Sequence, residues 1–140
     1  MTQDAILFPM LTLVGWTMSV LLLVPFRRFQ AAFAGQLTAD DFKLGESARV
    51  PAVVSIPNRN FMNLLEVPVF FYVLCITLFV TQRVDSLMVS LAWTYVGLRV
   101  VHSLIHLSYN HVIQRMLAYA FSNLVLSATW FITLYRLING

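Results

Sequence analysis

Two sets of polar residues recur at helical spacing inside otherwise apolar runs. They are Arg59, Asn63 and Glu66 in RNFMNLLEVPVFFY, and Arg99, His102 and His106 in GLRVVHSLIHLSYN. At about 100° per residue the first set falls within an arc of about 60° on one helix face. The second set keeps the same spacing, and Ser103 and Asn110 extend its stripe. Guanidinium groups grip carboxylates at two points and a carboxylate holds an ammonium, so cations, an acid and amide donors at one depth suit a small zwitterionic or anionic ligand. Arg27, Arg28 and Arg115 lie at the same ends of their runs and add to the surplus.

The elements that must hold these residues follow from composition. The chain has 140 residues, 59% hydrophobic and 11% charged, with mean hydropathy +0.78. Soluble domains are about half apolar and a quarter charged, so this is a membrane protein. A bilayer core about 30 Å thick needs about 20 apolar helical residues, and four runs meet that length: about 5–26, 61–80, 86–107 and 116–135. Short turns join the last three, which predicts an all-α, up-and-down four-helix membrane bundle. The acidic start MTQDAILFPM lacks the basic residues of a signal peptide, so the first span is expected to be retained.

Basic residues orient the bundle. Arg27, Arg28, Lys43, Arg49 and Arg59 fall in or beside the first loop, about 27–60, and Arg115 borders the third, against Arg83 and Arg136 on the opposite side. The long loop is therefore expected in the cytoplasm and both termini across the membrane. The same distribution makes the net charge of +3 an orientation signal rather than a nucleic-acid footprint. Within the loop, Thr38 is expected to cap a short helix through ADDFKLGE with Asp41 as its partner, and Pro51 and Pro57 to keep the following stretch extended.

Ionisable groups at membrane depth are costly unless they pair or face a polar cavity. Counting about 1.5 Å per residue, Glu66 lies about 8 Å and Arg99 about 12 Å from the loop side, which predicts an ion pair between them. Such a pair alone would be a structural lock, and Asn123 in the fourth span is expected to hydrogen-bond between helices. Pro68 should bend the second span and free the carbonyl of Leu64. His102 and His106 sit four apart, yet no HExxH pattern or nearby acid completes a metal site, so they read as hydrogen-bonding pocket walls. Cys75, the lone cysteine, reads as a small buried hydrophobe.

Arg59, Asn63 and Glu66 followed by Pro68, then Arg99 in the third span and Arg115 opening the fourth, resemble the MAPEG family, the membrane-associated proteins of eicosanoid and glutathione metabolism, in a bacterial-type member. The resemblance implies homotrimers in a bacterial inner membrane, with glutathione as co-substrate between neighbouring subunits. It implies that Arg28, Arg59, Asn63, Glu66, Arg99, His102 and His106 bind glutathione. Arg115 would be the catalytic residue that stabilises its thiolate. A thiol near pH 7 is mostly protonated, and a guanidinium in a partly dry site supplies the nucleophile by lowering its pKa. The thiolate would attack a lipophilic electrophile from the surrounding lipid, or reduce a hydroperoxide. The sequence departs from the eicosanoid-forming members of that family where His102 and His106 replace third-span tyrosines and where the first loop is longer, and its turn before Arg115 is about two residues longer. Two other readings use the same residues: a non-catalytic membrane protein that binds a lipid headgroup or a membrane-protein partner, and a proton relay through Glu66, His102 and His106.

Overall fold

A computed structural model describes all 140 residues and contains helices and turns only, with no strand. A short 3-10 turn, Gln3–Ile6, leads into α1 (Leu7–Phe33), followed by α2 (Ala52–Leu65), α3 (Pro68–Val80), α4 (Ser86–Leu107) and α5 (Val112–Asn139). Four stretches are long and apolar enough to cross a membrane: Gln3–Phe33, Ala52–Val80, Ser86–Leu107 and Val112–Asn139. The second is the pair α2 and α3, so the fold is a four-helix membrane bundle with one broken span.

The bundle turns apolar groups both ways. Leu13, Val20, Leu64, Phe71, Leu78, Met88, Tyr95 and Leu126 form the buried core. Phe8, Leu22, Phe70, Leu124 and Phe131 are exposed on the outside, where a bilayer accepts them. α4 packs along α5 and α1 lies against α2 and α4, whereas α3 and α5 meet only thinly.

At the loop end, α1 runs a further two turns past the expected boundary. It closes in a Schellman motif: Gln36 N donates to Ala31 O and Gly35 N to Ala32 O, with Gly35 at φ +73°. The loop then folds on Asp41, which accepts from Thr38 N at 2.8 Å and Ser47 Oγ at 2.8 Å. The expected helix through ADDFKLGE is only the 3-10 turn Ala39–Phe42. Those hydrogen bonds and the Arg49 guanidinium hold the Asp41 carboxyl below the usual carboxylate range.

The stretch after Pro51 is not extended. Pro51 is the N-cap of α2 and Pro57 lies within it. Val54, Pro57, Asn60 and Leu64 recur at helical spacing and are buried, and Val54 joins Ala31 and Leu37 in a small core beneath the loop. That burial outweighs the one donor Pro57 lacks, and the fixed proline φ is itself helical. At the other proline the expected bend is a break: Glu66 leaves the helix at ψ −94° and Pro68 starts α3.

Candidate functional site

α4 and α5 place His102, Arg115 and Tyr119 on facing surfaces, and α2 brings Asn63 to them. With Val112 and Met116 these residues line a cleft of about 270 Å³. His111 opens α5 by accepting from Gln114 N at 3.3 Å. This sets Arg115 in the first turn, where its Nη1 donates to Asn110 Oδ1 at 2.6 Å. Asn110 holds φ +50° in the preceding turn, a conformation asparagine tolerates better than most residues.

Arg99 lies behind the cleft and is fully buried. Its Nη2 donates to Asn63 Oδ1 at 2.7 Å and Asn63 O at 3.1 Å, and its Cζ stands 5.1 Å from the Tyr119 ring centroid. The expected Glu66–Arg99 ion pair is therefore corrected: Arg99 is held by Asn63, and Glu66 is exposed. The cause is the break. A depth count assumes an unbroken helix, but α2 ends at Leu65 and Glu66 departs from its register. The carbonyl that gains a side-chain partner is Asn63's rather than Leu64's.

A polar lock does exist, built from other residues. Ser103 Oγ accepts from Asn60 Nδ2 at 2.6 Å and Trp16 Nε1 at 2.8 Å, tying α1, α2 and α4 together. The sequence reading included Ser103 but missed Asn60 and Trp16. It also missed Tyr119, whose position four residues after Arg115 on α5 was the available signal. Asn123 does not bond between helices. Its Oδ1 is buried without a partner, and it lines a second cleft of about 360 Å³ with Val67, Phe70, Leu126, Ser127, Trp130 and Phe131.

The remaining candidate residues lie outside the cleft lining. Arg59 is exposed on α2. Arg28 is held by the loop, 3.6 Å from Glu46 and 4.6 Å from the Phe42 ring centroid. His106 is buried one turn beyond His102, with ring centroids 6.0 Å apart, and its Nδ1 has no partner. No third histidine, cysteine or carboxylate joins the two rings. His102 Nδ1 meets the Arg115 carbonyl at 2.9 Å, while its Nε2 is buried and unpartnered.

Guanidinium, amide, phenol and imidazole thus converge on one opening beside a dry arginine. Such a site can bind an anion and lower the pKa of an acidic ligand group. Among known families, the profile of the MAPEG family matches residues 6–135, nearly the whole chain. No curated protein and no solved structure shows a match.

Proposed function

Because the chain belongs to the MAPEG family, whose members are glutathione-dependent transferases, peroxidases or related proteins, we propose that it activates the thiol of glutathione for attack on lipophilic electrophiles. The observation that carries this reading is the cleft in which Asn63, His102, Arg115 and Tyr119 meet, with Arg99 fixed behind them. Arg115 faces the cleft in an environment only partly wet, where a positive charge favours the thiolate over the thiol.

The second cleft supports the lipophilic half of the reaction. Arg115, Tyr119, Asn123, Ser127 and Trp130 recur along one face of α5, so the first cleft, walled by α2 and α4, and the second, at the thin α3–α5 contact, open along the same helix face. An apolar electrophile entering from lipid can lie against Phe70, Trp130 and Phe131 with its reactive end toward Arg115. Arg59 and Glu66, exposed on a single chain, reach ligand in this reading from the boundary between subunits of a homotrimer. The loop end faces the cytoplasm in this reading, which its excess of basic residues supports.

The test is calorimetry with glutathione on the purified protein in detergent, followed by conjugation of a chlorinated dinitrobenzene. Binding at or below millimolar concentration with measurable turnover is expected. No binding at that concentration would end the glutathione reading. A second reading, a non-catalytic pocket for a lipid headgroup, is favoured by one observation: Arg99 and Arg115 already hold Asn63 and Asn110. Binding of an anionic phospholipid without glutathione binding would select it.

A further inference from the structure

Arginine can stabilise a thiolate, but it cannot accept the proton the thiol must lose. Resting on the glutathione reading above, we infer that His102 is the general base of this site and that the fold has preset its tautomer. The bond from His102 Nδ1 to the Arg115 carbonyl, 2.9 Å long, carries the inference. A carbonyl oxygen only accepts, so Nδ1 bears the hydrogen and the neutral ring presents a bare lone pair at Nε2. That Nε2 is buried and has no protein partner, while the His102 ring lines the cleft.

The alternatives on the cleft wall are poorer bases. Asn63 is an amide, Tyr119 a phenol, and Val112 and Met116 carry no base. His106 has a free Nδ1 but lies outside the lining, one turn further along α4. The charged and titratable groups around His102 are Arg99 and His106 on α4, Arg115 and Tyr119 on α5, the exposed Arg59 on α2 and the exposed Glu66 just past its end. Buried acids are absent from this set, so a proton leaving the thiol has the imidazole as its acceptor.

The step balances as follows. The S–H bond breaks, its electron pair stays on sulfur, and the proton forms an N–H bond at Nε2, directly or through one water. Sulfur, held by Arg115, then forms a C–S bond with the electrophile. For a chloroarene, chloride leaves with the C–Cl pair and the imidazolium returns its proton to water at the cleft mouth. Arg115 thus serves twice, its side chain toward the thiolate and its carbonyl in fixing the base. The histidine at this position gives the site a proton acceptor of its own.

Two measurements test the assignment. His102→Asn keeps an N–H close to where Nδ1 donates to the Arg115 carbonyl and removes the lone pair of Nε2. It should bind glutathione within about threefold of wild type, yet lose about a hundredfold in turnover at neutral pH. Its bound-thiolate ultraviolet absorption should appear only at a pH at least one unit higher. Wild-type calorimetry in buffers of different ionisation heat needs no variant: with the proton kept on His102, glutathione should form thiolate while releasing close to no proton. Release of about one proton per bound glutathione, or wild-type turnover and thiolate in His102→Asn, would overturn the base assignment and leave glutathione activation standing. A wild-type protein that binds no glutathione would overturn both.

Discussion

The two ends of the bundle treat their polar groups in opposite ways. At the end carrying the termini, every polar side chain of the central cluster is occupied. Gln3 exchanges hydrogen bonds with both backbone groups of Val84, Asp85 accepts from Met88 N at 2.9 Å and Arg136 Nη1 at 2.7 Å, and Arg83 Nη1 donates to Arg136 O at 2.8 Å. Behind and beside the loop-end cleft, Arg99 Nε and Nη1, His102 Nε2 and His106 Nδ1 are all buried without partners. Unsatisfied buried polar atoms are uncommon in folded proteins because each carries a desolvation cost. A clamp uses up its hydrogen-bonding capacity within the chain, whereas a binding site keeps some in reserve. The surplus at the loop end therefore separates a site from a lock better than the mere presence of charge does.

The sharpest way to break this contrast is at Arg115. Arg115→Ala should lower conjugation about a hundredfold or more, on the order of 3 kcal/mol of transition-state stabilisation, while leaving the unfolding temperature close to wild type. Steady-state kinetics beside thermal unfolding in detergent reads both. A parallel collapse of stability and turnover would make Arg115 another clamp residue.

Next in size is the three-helix lock. Ser103→Ala leaves Asn60 Nδ2 and Trp16 Nε1 facing a methyl group, and should cost roughly 1–3 kcal/mol for each donor left without a partner. Thermal unfolding should fall clearly with glutathione affinity little changed. A stable variant that no longer binds would move this trio from scaffold to site.

How much of this was legible in the sequence depended on what each inference assumed. The four spans were readable because a bilayer demands long apolar runs. The first half of α2 was missed because its prolines looked like breakers, while the buried face of Val54, Pro57, Asn60 and Leu64 was written into a polar stretch. Asn60 is adjacent to Arg59, yet about 100° of rotation takes one to the core and leaves the other exposed. Asn63, Arg99 and His102 were legible because unbroken helical periodicity applies to each, whereas Arg115 was reached through the family resemblance. Glu66 was misplaced because it sits on the one residue where that periodicity stops. Arg28 stands apart from the cleft within one chain, and nothing local in the sequence reveals that Glu46 and Phe42 fold back onto it.

A smaller effect belongs to the occupied end. The Met88 N–H and Arg136 hold the Asp85 carboxyl below its usual range. Its folded pKa is depressed, so the stabilisation is present above the unfolded carboxylate pKa and is lost as pH falls through the folded value. Asp41 in the loop has the same sign through Thr38, Ser47 and Arg49. Asp85→Asn keeps a capping side chain but loses a half-exposed ion pair, and should cost roughly 0.5–1 kcal/mol at neutral pH, and less in acid. A pH series of unfolding temperatures checks this. A loss that grows toward acid would reverse the sign and refute the assignment.

The smallest expected change in stability, and the most discriminating one for the contrast, is at Glu66. An ion pair with Arg99 would make Glu66→Gln strongly destabilising, because a buried guanidinium would lose its counter-charge. Asn63 holds that guanidinium instead and Glu66 is exposed, so the substitution should alter stability by no more than about 0.5 kcal/mol. If Glu66 binds the ammonium of glutathione from a subunit boundary, the same substitution should weaken binding several-fold while the unfolding temperature holds. Calorimetry and thermal unfolding on one preparation decide between these outcomes. Loss of stability without loss of affinity would put Glu66 with the clamps, and loss of affinity alone would put it with the reserve of polar groups kept for a ligand.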